Sequence, residues 1–326
     1  MTRQSERNRR AREAESRRHR PILVTGSHRS GTGWLGQVLA ASPAGVGWIW
    51  EPFSILHRPG TCAVEFPYWF PYVTDENGQA YESAVADTLA WRYRPTAELR
   101  SLRSPKDVAR MARDWYSFSG HRRRGSIPVL KDPIALFSSE WLASRFGMDV
   151  AVLIRHPAAF TASVKRLHLR HPFDHFLAQP LLMQDWLEPF AGEIERFAAA
   201  EQDIVDQGIL LWLILHHAIA GFRERHPDWL FVRLEDLSRN PVPEFRQVFA
   251  DLELEFDDGV ERMVAGTSAS TNPAEASRPD SVRRDSASHM WNWTRTLTSE
   301  EVDRVRERTL DLSRRFYSDD DWSGPS

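Results

Sequence analysis

Pro21-Ile22-Leu23-Val24-Thr25-Gly26, continuing through Ser27-His28-Arg29-Ser30-Gly31-Thr32-Gly33-Trp34-Leu35-Gly36-Gln37-Val38-Leu39-Ala40-Ala41, decides the fold. The first six residues are a short apolar, β-rich run ending in glycine. Residues 33–41 then take helical spacing and stop at Ser42-Pro43. Strand, small-residue loop and helix in that order make an anion site, because backbone amides can close around a ligand and the helix N-terminus supplies roughly half a positive charge. A Walker A loop would read GxxxxGK followed by Ser or Thr, whereas here Gly31 is followed by Thr32 and Gly33 and the lysine is missing. The cation in this loop is Arg29. The plain alternative is a tight strand-to-helix turn carrying an exposed arginine.

Working outward, a second strand (Val46 to Trp50) runs into Glu51-Pro52, and three more strands are predicted at Ile127 to Leu130, Val150 to Ile154 and Trp229 to Leu234. Amphipathic stretches at 138–146, 157–169, 184–206 and 207–226 separate them. Continuous apolar strands alternating with helices predict an α/β fold, a doubly wound parallel sheet with a P-loop-like phosphate-binding loop and helices on both faces. In such sheets ligands bind beyond the carboxyl ends of the strands. Residues 53–126 are irregular, with helices expected near 82–92 and 106–117, and read as an insertion over the core, covering an acceptor site. Its aromatic stretch Phe66 to Tyr72 suits stacking on a sugar or lipophilic acceptor, or a satellite core under a long loop.

Composition excludes several classes. The chain has 326 residues, 41% hydrophobic and 27% charged, with 13 Trp and a formal charge of −3, as expected for a globular protein without global attraction to nucleic acid. The first twenty residues hold eight Arg against three Glu and no apolar run, which predicts a disordered tail rather than a signal peptide. A single domain is expected over 21–317, with a second tail at 318–326. The longest apolar stretch, Ile209 to Leu215, is far shorter than the roughly 20 residues of a membrane span. Cys62 is the lone cysteine and fits a reducing, cytoplasmic compartment. The sequence has no HExxH, no Cys/His pair at zinc spacing and no EF-hand loop, so no metal is expected. His168, His171, His216 and His217 are assigned ordinary surface or core roles.

Each later strand ends in polar residues: Glu51, Lys131-Asp132-Pro133, and Arg155-His156-Pro157. If the sheet is parallel they share an edge with the loop, and Arg29, Lys131 and Arg155 converging there would hold a polyanion. Individually, Asp-Pro and His-Pro also read as helix starts with proline at the first position.

Arg29-Ser30-Gly31-Thr32-Gly33-Trp34-Leu35 resembles the 5′-phosphosulfate loop of sulfotransferases that use 3′-phosphoadenosine 5′-phosphosulfate (PAPS). Leu153-Ile154-Arg155-His156-Pro157 continuing to Ser163 is similar to that family's 3′-phosphate motif. Val232-Arg233-Leu234-Glu235-Asp236-Leu237 with Asn240-Pro241, and Trp293 with Leu297-Thr298-Ser299-Glu300-Glu301, resemble its later segments. The resemblance implies that Arg29, Ser30, Gly31, Thr32, Gly33 and Trp34 surround the 5′-phosphosulfate. Arg155 and Ser163, helped by Arg283 or Arg284, would grip the 3′-phosphate, and Lys131 would lie near the transferred group. Glu51-Pro52 is similar to the "EP" of the carbohydrate branch. The sequence departs from the usual pattern at Gly33, where many relatives carry Thr or Ser, and at His156, where Asp is usual.

The implied reaction is sulfuryl transfer from PAPS to a hydroxyl of a carbohydrate, glycolipid or glycosylated small molecule. Arg29, Lys131 and the loop amides would stabilise the departing oxygen, and Glu51, or second Asp132, would serve as general base. A small-molecule kinase using ATP and a catalytically inactive nucleotide-binding or scaffold protein are the alternatives. The acceptor is a small molecule or glycan, with no nucleic acid partner and no membrane span; the sequence leaves the oligomeric state open.

Overall fold

The computed structural model describes residues 20–273 and 285–323. Five strands, β1 (Ile22–Gly26), β2 (Val46–Trp50), β3 (Ile127–Lys131), β4 (Asp149–Ile154) and β5 (Leu230–Arg233), form one all-parallel sheet in the order β2-β3-β1-β4-β5. β1 sits centrally, and the chain returns to both of its sides. The crevice between β1 and β4 therefore lies between connections that leave in opposite directions, where doubly wound sheets bind ligands. Register keeps the strand ends level, Gly26 beside Leu153 and Trp50 beside Lys131.

Alternation along the strands sends side chains into two cores. Ile22, Val24, Val129 and Leu153 pack with α1 (Thr32–Leu39) on one face. Leu23, Leu130, Val150 and Val152 pack on the other face, where Trp212, Ile214 and Leu215 of a long helix meet them. The expected insertion is part of this second core: α2 (Gln79–Leu89), α3 (Pro105–Arg124) and the intervening chain bury Phe53, Phe66, Phe70, Trp91 and Phe118 in it.

α4 (Ser139–Phe146) follows expectation, whereas α5 (Pro157–Arg166) ends three residues before the expected 169. The chain then turns through His168 in the left-handed region, φ +48°. The continuous helix expected over 184–206 is broken into a π turn at Met183–Leu187, a 3-10 turn at Glu188–Phe190 and α6 (Ala191–Ala199). Pro189 supplies no amide to a continuing ladder. Ala200 is extended before Asp203 caps α7 (Ile204–Arg225), accepting from the amides of Val205 and Asp206. α7 is long and apolar enough to cross a membrane, yet most of it is buried among the other elements.

Past β5 come α8 (Leu234–Arg239), α9 (Pro241–Asp251), α10 (Asp258–Ser268) and α11 (Ser299–Ser313). The Leu297-to-Glu301 motif is a helix start: Thr298 and Glu301 form a capping box, and Glu301 also takes Lys165 of α5 at 2.6 Å. Residues 319–322, set aside by sequence as tail, form a 3-10 turn whose Trp322 packs on His156, ring centroids 4.4 Å apart.

Candidate active site

The loop between β1 and α1 is shaped by its glycines. A Cβ on Gly26 would lie 2.1 Å from the carbonyl oxygen of Leu153, so only glycine lets the loop leave β1 tight against β4. Gly31, at φ +91°, is the N-cap of α1 and brings no side-chain cap. The amides of Gly31, Thr32 and Gly33 consequently have no carbonyl partner among the described residues. Ser30 turns inward, its hydroxyl donating to the Ser27 carbonyl. Trp34 contributes ring surface, because its indole N–H is committed to Thr267 Oγ1 at 3.0 Å and its ring meets Phe245.

Arg29 is held left-handed, φ +68°, a conformation costly for a residue with a Cβ. That turn brings its carbonyl to the end of β4, where buried Arg155 donates Nη1–H to it at 2.5 Å. The Arg29 guanidinium in turn reaches Ser163 Oγ of α5 at 3.3 Å. Arg29, Arg155 and Ser163, 134 residues apart at the extremes, are thus one cluster. The chain at β4's end is fixed from behind: Trp212 donates to the Arg155 carbonyl at 2.9 Å, and the His156 amide donates to buried Glu235, which also accepts from Tyr317.

At the other end of the cavity, Glu51 is also left-handed, φ +39°, and its amide donates to the Lys131 carbonyl at 3.0 Å. Its carboxylate pairs with the Lys131 ammonium, which lies 4.1 Å from the Trp50 ring centroid. The Lys131 stem runs beneath the loop helix, 3.3 Å from where a Cβ on Gly36 would be. Asp132, the second candidate base, is built into the scaffold. It is fully buried, and its carboxylate accepts the amides of Phe53 at 2.7 Å, Ile134 at 2.9 Å and Ala135 at 3.2 Å. Burial pushes its pKa up to about 7, the Glu51 charge adds to this, and the amides oppose it. It is a helix cap that ties β3 to the segment after β2.

Arg29 with the loop at one end and Glu51 with Lys131 at the other line one cavity of about 620 Å³; Arg155 and Ser163 are not part of its lining. Between the two ends its wall is largely apolar, including Trp50, Trp69, Phe70, Leu167, Leu169 and Leu211. The aromatic stretch therefore serves both suggested ways, Phe66 in the core and Trp69 and Phe70 on the wall. Sequence reasoning left His28 unassigned and gave His171 an ordinary surface or core role on a helix, yet both line this wall and both flank Phe70. Burial, followed by Arg29 and Arg155, drives the His28 pKa down to about 3, so it is a neutral imidazole. A histidine within the phosphate loop was the available signal; His171 gave none, since a turn rather than a helix delivers it. Thr267 and Ser286 close the cavity near Trp34. Arg283 and Arg284 lie outside the described residues. Cys62 is buried, its thiol pKa raised to about 11 by that burial.

A cation cluster beside an uncapped helix N-terminus can hold a phosphorylated ligand. An ammonium–carboxylate pair across the same cavity can exchange a proton and stabilise charge. A model of the sulfotransferase family matches residues 21–258. No curated protein matches the chain. Among solved structures, a sulfotransferase domain from the Synechococcus PCC 7002 olefin synthase is 16% identical with a TM-score of 0.46, over 91% of this chain and 95% of that one. A Mycobacterium avium sulfotransferase is 12% identical with a TM-score of 0.45, over 91% of this chain and 77% of that one. The family match runs from β1 past β5 and takes in the loop, Glu51, Lys131, Arg155 and Ser163, and the chain belongs to the sulfotransferase family.

Proposed function

We propose that this protein moves a sulfuryl group from PAPS to a hydroxyl of a carbohydrate, glycolipid or glycosylated small molecule. The observation that carries the donor assignment is the Arg29–Arg155–Ser163 cluster, which joins the loop to the end of β4 within hydrogen-bonding distance. On this reading, one ligand bearing phosphate at both ends of a ribose lies there. The amides of Gly31, Thr32 and Gly33 with Arg29 serve the 5′ end, and Arg155 with Ser163 serves the 3′-phosphate. The donor, when bound, supplies an activated sulfuryl group on a phosphate leaving oxygen.

The chain's own residues supply the rest. Lys131 pairs with Glu51 and aims its carboxylate before reaction. When Glu51 takes the acceptor proton, the Lys131 charge loses its partner and becomes available to the leaving oxygen, so proton removal and charge stabilisation are coupled at one atom pair. Preorganised cations of this kind contribute several kcal/mol in a water-poor site.

Adenosine 3′,5′-bisphosphate tests the donor site without acceptor. At a hundredfold excess over its Kd it should stabilise the fold by about 2.7 kcal/mol, a melting shift of about 5 °C. Arg155→Ala should abolish that shift. Labelled PAPS with pooled sugars, glycolipids and phenols then reads transfer; magnesium-dependent turnover of ATP with none of PAPS would replace this reading with a kinase.

A further inference from the structure

The surface around α3 carries an excess of positive charge. From Trp91 to Arg124 the sequence carries ten Arg or Lys against three carboxylates, in a chain whose formal charge is −3. All three carboxylates are already partnered, Asp107 also by Arg110 at 3.7 Å and Asp114 also by Arg113 at 3.0 Å. Glu98 is buried, taking Arg58 and the Gly60 amide; Asp114 also pairs with Arg58; Asp107 takes the Ser104 hydroxyl and Arg103 amide at the helix start. The cations turn outward. Lys106, Arg110, Arg113, Arg122, Arg123 and Arg124 are exposed, and Lys106, Arg122 and Arg123 form no ion pair among the described residues.

Large apolar side chains sit among these charges: Leu99 is 56% exposed, Val108 47%, Trp115 55% and Tyr116 75%. Val108, Trp115 and Arg122 recur every seven residues, hence along one line of the helix, with Tyr116 and Arg123 on the adjacent line. Met111 and Phe118 follow Val108 and Trp115 by three residues and turn inward, so that line is the edge of the outward face, with Tyr116 and Arg123 nearer its centre.

We propose that this face of α3 docks flat on an anionic lipid bilayer, with Trp115 and Tyr116 at headgroup depth and the cations against lipid phosphates. A helix with Arg and Lys beside Trp, Tyr and aliphatic side chains suits the interface, which accepts both charge and apolar area. A nucleic-acid backbone would satisfy the cations but gives nothing to Leu99 or Val108. The inference is independent of the donor assignment.

Flotation of the full chain tests it, using phosphatidylcholine vesicles with and without phosphatidylglycerol. Binding should require the anionic lipid and weaken as salt rises. Each removed cation should lower partitioning about fivefold, and Lys106→Gln, Arg122→Gln and Arg123→Gln together about a hundredfold. Trp115→Ser with Tyr116→Ser should lower it at least tenfold, with an unchanged melting temperature because both side chains are exposed. A single Arg123→Glu provides a milder second variant. Equal binding to pure phosphatidylcholine, no binding to either vesicle, or binding unaltered by the helix variants because the Arg-rich N-terminus carries it, would overturn the proposal. So would helix-dependent binding of duplex DNA or RNA without vesicle binding.

Discussion

The two charged ends of the cavity are built on opposite principles. At the β1–β4 end Arg155 is turned toward a backbone carbonyl and Arg29 toward a hydroxyl, neutral groups that a phosphate can join or displace. At the β2–β3 end the Lys131 ammonium faces a carboxylate. The first arrangement suits a ligand whose charge is permanent. The second is neutral in sum and answers to a proton, since moving one onto Glu51 exposes the lysine. Two buried cations on strands of the same sheet are thereby set to different tasks by their partners.

The sharpest way to break this comparison is to change one end and read the other. Glu51→Gln keeps the shape of the pair but removes the proton acceptor. We expect kcat to fall about 10²–10⁴-fold while the bisphosphate-induced melting shift is preserved. Lys131→Met should lower kcat about 10²–10³-fold. The double variant should be little worse than the poorer single one, because residues acting as a unit are non-additive. Retained kcat in Glu51→Gln, or loss of its melting shift, would show that the ends are not divided in this way.

Asp132 separates chemistry from scaffold at the same end. Asp132→Ala leaves three amides, those of Phe53, Ile134 and Ala135, without the acceptor they share in the interior. The expected cost is about 3 kcal/mol, read by denaturant unfolding. Asp132→Asn should recover part of it, since its amide oxygen can serve Ile134 and Ala135 while its NH₂ opposes the Phe53 N–H. If Asp132→Asn instead unfolds like the parent but loses turnover as severely as Glu51→Gln, the base assignment moves to Asp132.

The sheet and the loop were legible because they are written locally. Apolar runs give the strands, and Gly26 and Gly31 mark the loop whose geometry demands them. The alignment of Glu51, Lys131 and Arg155 on one edge follows from a parallel sheet alone. What was not legible depends on pairing across long sequence distance. The burial of Phe53, Phe66 and Phe70 is made with residues of α4 and α7 in one core, whereas the interruption at 183–203 is local, with Pro189 breaking a helical pattern from within. Asp132 followed by proline is a helix-start signature, and its carboxylate does cap the turn that follows β3. The cation face of α3 disappears into the net charge of −3 and shows only when residues 91–124 are counted alone.

The smallest expected effect concerns neutral histidines placed behind the β4 end of the site. His216 of α7 is fully buried, shares hydrogen through Nδ1 with the Trp212 carbonyl at 2.9 Å, and stacks on the Trp212 ring at 4.1 Å. Trp212 in turn holds the Arg155 carbonyl, so this stack supports the donor end. Burial lowers the His216 pKa to about 3, with the Trp212 bond opposing, and burial likewise takes His156 to about 3. A folded pKa below the unfolded value of 6.5 means the folded chain binds fewer protons than the unfolded one, so stability is lost as pH falls from about 6.5 toward 3. At pH 5 each such histidine should cost about 2 kcal/mol relative to pH 7. His216→Phe, which keeps the stacked ring and removes the titrating nitrogens, should therefore flatten the decline in stability between pH 7 and pH 5 by about that amount. An identical pH slope in variant and parent, measured by denaturant unfolding at both values, would show that acid enters the molecule elsewhere.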